Sequence, residues 1–212
     1  IADAYGVVLV TPKFSKKYWP NSRHYNQGNM FTRHQKSPKP RAVWSFTAME
    51  KAVGIASEYA RVSGEKFYLY GHSAGSQFVH RYVMVTGGKR VIRAVAANAG
   101  YYLWPDAKIN FPYGIKLLEN HDWDWAAVFR ANLTILAGSN DNQPDAKSLS
   151  RHANAMDQGE HRLQRALNFF LAARAFAAQK DHEFKWRLET VPNVGHSNKG
   201  MSIPAARVLF GK

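Results

Sequence analysis

Short β-rich runs alternate with helical stretches along this chain, and that alternation restricts the fold more than any other feature. The runs are rich in Val, Ile, Leu and aromatic residues and cover residues 67–70, Val91–Ala97, 133–137 and 185–191. Runs of this length are typical of buried parallel strands. Helical patterns cover residues 41–62, Ala74–Thr86 and 145–179, the last as two helices broken near Gly159. The order predicts an open, mostly parallel sheet covered by helices.

The front of the chain adds two predicted elements. Residues 1–5 have the pattern of a last helical turn that ends at Gly6. The apolar run 7–10 follows directly and predicts another strand. No initiator Met and no basic-then-apolar leader stand before these residues, so the chain is expected to start inside a fold.

Composition narrows the class of protein. A chain of 212 residues with 45% hydrophobic and 13% aromatic content predicts a single domain over 1–212 with one sizeable core. No apolar run approaches the roughly 18 residues of a membrane span. Zero cysteines exclude disulfides and thiolate ligands, and the nine histidines show no metal-ligand spacing. We therefore expect no metal, no cofactor and no membrane partner.

The formal net charge of +14 suggests an anionic partner. Residues 1–41 hold eight Lys or Arg against one acid, in a stretch rich in proline and polar residues that is typical of exposed loop. The remaining bases are scattered, with no zinc-finger spacing and no aromatic strand of the kind that binds RNA. The pattern argues against nucleic acid and favours anionic polymers or surfaces.

The chemistry centres on the sequence Gly71-His72-Ser73-Ala74-Gly75. A predicted strand runs into it and a predicted helix leaves it. A serine in so sharp a strand-to-helix turn needs glycine two residues before and two after, because the backbones crowd there. The turn predicts an exposed Ser73 hydroxyl, with the Ala74 N–H available to stabilise an oxyanion.

A serine nucleophile needs a base, and the base needs an acid to orient it. The run 133–137 leads into Gly-Ser-Asn and then Asp141, which therefore lies just past the strand end. Asp145 is the second choice, because Pro144 and the next helix would turn it away from the site. His196 is the histidine that follows the last predicted strand. The order Ser73, Asp141, His196, each at a strand end, predicts a catalytic triad.

Several stretches together resemble the serine-dependent α/β-hydrolases. Within that superfamily the chain resembles the secreted carboxylesterase branch grouped with poly(3-hydroxybutyrate) depolymerases and feruloyl esterases. The resemblance rests on residues 6–14, 71–75, 98–105, 111–114, 136–141, 158–162 (Gln-Gly-x-x-Arg) and 191–196.

The resemblance implies a three-layer α/β-hydrolase fold with a mostly parallel sheet, no large lid and no cofactor. Ser73 would be the nucleophile, His196 the general base and Asp141 its partner. Two or three strands would precede residue 7, and the loop after the third would supply a second oxyanion donor upstream of this chain. We therefore expect a sheet that lacks its first strands. A separate N-terminal segment, a second copy in a homo-oligomer, or a shift of 7–10 onto 67–70 would fill the gap.

The connection 99–132 is too short for a large cap and is rich in aromatic residues, which predicts an open site. Tyr101, Trp104 and Tyr113 are candidate substrate contacts, although packing against the sheet explains some of these aromatic residues equally well. The hypothesis is a secreted or periplasmic bacterial serine esterase acting on bulky or polymeric esters, either polyester or feruloylated polysaccharide. The alternative is a weakly active or inactive α/β-hydrolase that serves as a binding or assembly module.

Overall fold

A computed structural model describes residues 1–32, 37–62, 64–118 and 121–211. Its contacts divide the chain into two compact units, Ile1–Phe67 and Tyr68–Lys212. Arg33 and Lys36 of the basic front lie outside the described residues. No helix in the described ranges is long and apolar enough to cross a membrane.

The first unit contains little regular structure. It holds helix α1 (Ala2–Tyr5), a 3-10 helix (Arg41–Val43) and helix α2 (Ser45–Tyr59). Helix α1 ends at Gly6 in the left-handed conformation, as predicted. The predicted helix 41–62 is interrupted at Trp44, whose backbone is extended while its indole donates a hydrogen bond to the Lys39 carbonyl.

The predicted strand over residues 7–10 is wrong. These residues have no strand conformation, and Val8 and Leu9 are 55% and 69% exposed. A strand is stable when a neighbouring strand pairs its backbone groups and covers its apolar face. No strand of the described residues pairs with this segment, so the predicted shift onto residues 67–70 does not occur either.

The second unit is built on a four-stranded sheet in the order β1-β2-β3-β4. The strands are β1 (Phe67–His72), β2 (Val91–Ala97), β3 (Leu133–Gly138) and β4 (Arg187–Val191). β2 and β3 are parallel, with Ala94 opposite Leu133, and so are β3 and β4, with Thr134 opposite Arg187. The four predicted runs are therefore strands, and the predicted parallel sheet is confirmed.

The second unit also holds the helices α3 (Ala74–Thr86), α4 (Trp125–Arg130), α5 (Ala153–Met156), α6 (Arg162–Gln179) and α7 (Asn198–Phe210), with a 3-10 helix at Lys116–Leu118. Of these, α3, α6 and α7 pack on the sheet. Val95, Ala97 and Leu136 pack against Met201 and Ala205 of α7 in one buried cluster. The intervening strand residues point to the opposite face of the sheet.

The predicted helical region 145–179 holds α5 and α6, with the break around Gly159. Residues 145–152 are not helical, contrary to the prediction. The reason is that α6 binds this segment by side chains: the guanidinium of Arg162 binds the Ser148 hydroxyl, and that of Arg165 binds the Ser150 carbonyl. These long-range bonds favour an irregular backbone.

Candidate active site

Ser73 lies in the turn between β1 and α3, with a φ of 55° and a ψ of −114°. Its N–H donates to the carbonyl of Ala97 at the end of β2, over 2.9 Å. A Cβ atom at Gly71 would clash with the backbone of Gly75, which explains why the turn needs glycine there. The sharp strand-to-helix turn predicted from the sequence is therefore present.

The three side chains of the predicted triad lie together. His196 Nε2 is 3.0 Å from Ser73 Oγ, and His196 Nδ1 is 2.7 Å from Asp141 Oδ2. Because the carboxylate accepts only from a protonated ring nitrogen, we assign the hydrogen of the neutral ring to Nδ1. Nε2 is then left to accept the hydrogen bond of the Ser73 hydroxyl.

Asp141 is held in place by the start of helix α6. Its side chain is only 4% exposed, and Arg162, 2% exposed, donates from Nη1 to Asp141 Oδ1 over 3.1 Å. The second terminal nitrogen of Arg162 donates to Ser148 Oγ over 2.9 Å. The N–H of Leu163 also binds the Asp141 carbonyl oxygen, over 3.1 Å. Sequence reasoning noted Arg162 only as part of the stretch 158–162, without a role.

The His196 loop is held by side chains of the neighbouring strand ends. Asn98, 1% exposed, accepts from the Gly138 N–H over 2.8 Å and donates to the Gly195 carbonyl over 3.2 Å. The hydroxyl of Ser139 accepts from the Asn193 N–H over 2.8 Å. Asn98 was likewise missed as a positioning residue, since an asparagine after a strand is typical of any turn.

The residue before the serine also touches the base. The ring of His72 lies 4.7 Å from that of His196, centroid to centroid. Burial, together with the nearby His196, lowers the pKa of His72 to about 4. Its Nε2 is buried and finds no hydrogen-bond partner among the described residues. At neutral pH His72 is therefore an uncharged ring packed against His196.

The Ala74 N–H is the first of helix α3, where no intrahelical partner exists and the helix dipole is positive. This geometry suits the oxyanion role that the sequence predicts for it. A second donor, assigned to residues upstream of this chain, stays a prediction. No group of three or more His, Asp or Glu side chains that could hold a metal ion occurs among the described residues.

The candidate substrate contacts form part of an aromatic stack. The rings of Tyr101 and Tyr113 are 4.6 Å apart, and the Tyr113 ring stacks on the exposed His152 at 4.9 Å. The Arg81 guanidinium lies 5.0 Å from the Tyr101 ring, on the buried side. Tyr101 itself is only 9% exposed, so the accessible part of the stack is Tyr113 with His152.

Trp104 is half-buried, and its backbone N–H donates to the Tyr113 carbonyl over 2.8 Å. Its indole nitrogen is buried, with no hydrogen-bond partner in the described part of the chain. Trp123 and Trp125 stack on each other at 4.4 Å, and Trp125 packs against Phe176 of α6. Trp123 and Trp125, which also lie in the connection 99–132, therefore pack against other aromatic rings.

Comparisons with solved structures find chains that are similar to this one over most of its length. Poly(aspartic acid) hydrolase-1 from Sphingomonas sp. KT-1 is 38% identical, with a TM-score of 0.87 over 94% of this chain and 75% of that one. The poly(3-hydroxybutyrate) depolymerase LpqC from Bordetella parapertussis is 32% identical, with a TM-score of 0.87 over 100% of this chain and 73% of that one. The siderophore hydrolase EstA from Aspergillus nidulans shares the fold at 18% identity, with a TM-score of 0.50 over 96% of this chain and 68% of that one.

Neither the protein-family models nor the curated proteins give a match. The parallel sheet and the serine in its strand-to-helix turn define an α/β-hydrolase. The chain belongs to the serine α/β-hydrolases, in the branch that includes LpqC and poly(aspartic acid) hydrolase-1. It is a carboxylic ester hydrolase, and the fold predicted from the sequence is confirmed.

Proposed function

We propose that the protein hydrolyses acyl bonds of polymeric substrates through a covalent intermediate on Ser73. The observation that carries the proposal is the continuous line of hydrogen bonds from Ser73 through His196 to Asp141. In such a line the base is oriented by the acid and lies within reach of the nucleophile's proton.

In the first step His196 Nε2 takes the hydroxyl proton as Ser73 Oγ forms a bond to the substrate carbonyl carbon. The carbonyl oxygen becomes an oxyanion beside the Ala74 N–H. The intermediate then expels the alcohol, which leaves with the proton from His196. In the second half a water molecule attacks the acyl-enzyme, His196 again moves the proton, and the carboxylic acid is released. Asp141 stabilises the imidazolium during both halves.

Three observations support a bulky or polymeric substrate. The described residues of the connection 99–132 form only a 3-10 helix and the short α4, so this connection itself supplies no large cap. Tyr113 and His152 offer a stacked aromatic surface. The two relatives described above at 38% and 32% identity are each named for a polymer. We accordingly favour polyester over the feruloyl-type ester, and we propose that the enzyme is secreted or periplasmic.

A second candidate substrate is a polyanion. The relative at 38% identity is named for poly(aspartic acid), and this chain carries a net charge of +14. Attraction between opposite charges raises the local concentration of such a substrate and weakens as salt screens it. The test measures the rates of polyanion and polyester cleavage as salt is added. A steep fall in the rate for the polyanion, with little change for the polyester, would favour this candidate.

The test compares wild-type protein with Ser73→Ala on a short p-nitrophenyl ester and then on suspended polyester. We expect a loss of about 10⁶-fold in kcat, the magnitude seen when a triad serine is removed. Ser76→Ala is the matched control, because Ser76 is a buried serine on α3 outside the triad. Equal turnover by wild type and Ser73→Ala would refute the proposal. A folded wild type inert toward all esters would favour the binding or assembly module.

A further inference from the structure

Helix α6 carries two buried arginines one turn apart, and their partners differ in kind. Arg162 binds the carboxylate of Asp141 and the hydroxyl of Ser148. Arg165 donates to the carbonyls of Gly159 and Ser150. Both guanidinium groups are almost fully buried, at 2% and 0% exposure. Arg162 therefore touches the candidate triad, whereas Arg165 braces the backbone around it.

Both carboxylate oxygens of Asp141 are engaged. Oδ1 accepts from Arg162 and Oδ2 accepts from His196 Nδ1. A carboxylate fixed through one oxygen cannot rotate freely about its Cβ–Cγ bond, so the other oxygen stays directed at the imidazole. The guanidinium is itself fixed by its second bond to Ser148. A rigid fork of this kind is a property of arginine that lysine lacks.

We propose that Arg162 is a positioning residue of the active site. Acting through Asp141, it fixes the orientation of His196, and its charge affects the pH dependence of catalysis. The inference rests on the function proposed above.

The positive charge of Arg162 has two opposing effects, one on the carboxylate of Asp141 and one on the ring of His196, and these can be tested. The carboxylate of Asp141 is only 4% exposed, and burying a negative charge without a partner is costly. The ion pair with Arg162 offsets that cost. The same charge opposes formation of the imidazolium at His196, because like charges repel. Of the other titratable groups, His72 packs on the face of the ring, and Lys199, three residues along the chain in the first turn of α7, is exposed to water that screens its charge.

The experiment measures kcat and KM for a short p-nitrophenyl ester across pH in Arg162→Met, Arg162→Lys and Arg165→Met. For Arg162→Met we expect kcat to fall about 10²-fold with KM nearly unchanged, since the base is misplaced. We expect the acid limb of its kcat/KM profile to move to higher pH by about one unit. Arg162→Lys keeps the positive charge, so the acid limb of its kcat/KM profile should lie at the same pH as in the wild type. Its kcat should still fall. Arg165→Met should lower stability without moving the limb.

The proposal is overturned if the acid limb of the kcat/KM profile does not move in Arg162→Met. It is also overturned if Arg165→Met moves that limb by the same amount. If Arg162→Met is not recovered folded, Arg162→Lys decides: a lowered kcat with an unmoved limb supports the role, and an unchanged kcat overturns it. Activity that survives Ser73→Ala refutes the proposed function itself. Activity lost in Ser73→Ala, together with an unmoved limb in Arg162→Met, refutes only the role of Arg162.

Discussion

Ser73 and His196 meet across one hydrogen bond of 3.0 Å, yet the segments that carry them are held by different means. The elbow around Ser73 depends on backbone packing: a strand, a helix and the close approach of Gly71 to Gly75 fix it. The loops that carry Asp141 and His196 depend on side chains reaching in from elsewhere, chiefly Arg162 and Asn98.

The site therefore has two halves: the elbow around Ser73, held by the backbone, and the loops of Asp141 and His196, held by side chains. The two halves should tolerate different substitutions. The elbow needs small residues and a strand-to-helix connection, and these are visible in a short stretch of sequence. The acid and base loops need specific polar partners that are distant along the chain. Substitutions in the elbow should therefore act through sterics and the backbone, and substitutions around His196 through lost hydrogen bonds and charge.

After Ser73→Ala, the largest effect on activity is expected from Asp141→Asn, which tests the half held by side chains. The amide leaves the shape nearly unchanged but no longer selects the ring tautomer with hydrogen on Nδ1, so kcat should fall about 10⁴-fold. Steady-state kinetics on a short ester measures it. Asp145→Asn is the control, because Asp145 is exposed and was only the second choice for the acid. A larger loss in Asp145→Asn would show that the acid has been assigned wrongly.

Gly71→Ala tests the half held by the backbone. The added methyl group would meet the Gly75 backbone, so we expect the free energy of unfolding to fall by about 1–3 kcal/mol, with loss of activity as Ser73 is displaced. Gly54→Ala in α2 is the matched control, since a Cβ there meets open space. That variant should gain about 0.5–1 kcal/mol from helix propensity. Urea unfolding measures both, and a neutral Gly71→Ala would contradict the account of the elbow.

The smallest effect is expected where the two halves touch, at His72. Its pKa of about 4 lies below the 6.5 of an exposed histidine, so between these values the unfolded chain binds a proton that the folded chain does not. This contribution to stability is present above pH 6.5 and is lost as the pH falls toward 4. In His72→Gln the drop in unfolding free energy from pH 7 to pH 5 should be smaller by about 1 kcal/mol or less, given solvent screening. An identical drop in urea unfolding would exclude this role.

Much of the second unit was predictable because its signals are local. β2 and α3 match their predicted bounds, and the other strand ends agree within two residues. Each triad residue was found at the end of a predicted strand, in a fixed order along the chain. The elbow was the strongest signal, because its glycines are required by crowding within one short turn.

The errors arose where structure depends on distant partners. Residues 7–10 have the composition of a strand, but pairing with a neighbour decides the conformation, and the described residues supply none. Residues 145–152 were assigned to a helix that the bonds from Arg162 and Arg165 disfavour. Arg162 and Asn98 were missed as positioning residues for the same reason, since their partners are far away in sequence.

The most direct test of the central claim is labelling of the folded protein with a fluorophosphonate, followed by peptide mass spectrometry. The reagent bonds to a serine that is activated by a neighbouring base. We expect one adduct per chain, on Ser73, with labelling strongly slowed in Asp141→Asn and unaffected in Asp145→Asn. An adduct on another serine, or labelling of Ser73 that is equally fast without Asp141, would contradict the proposed triad.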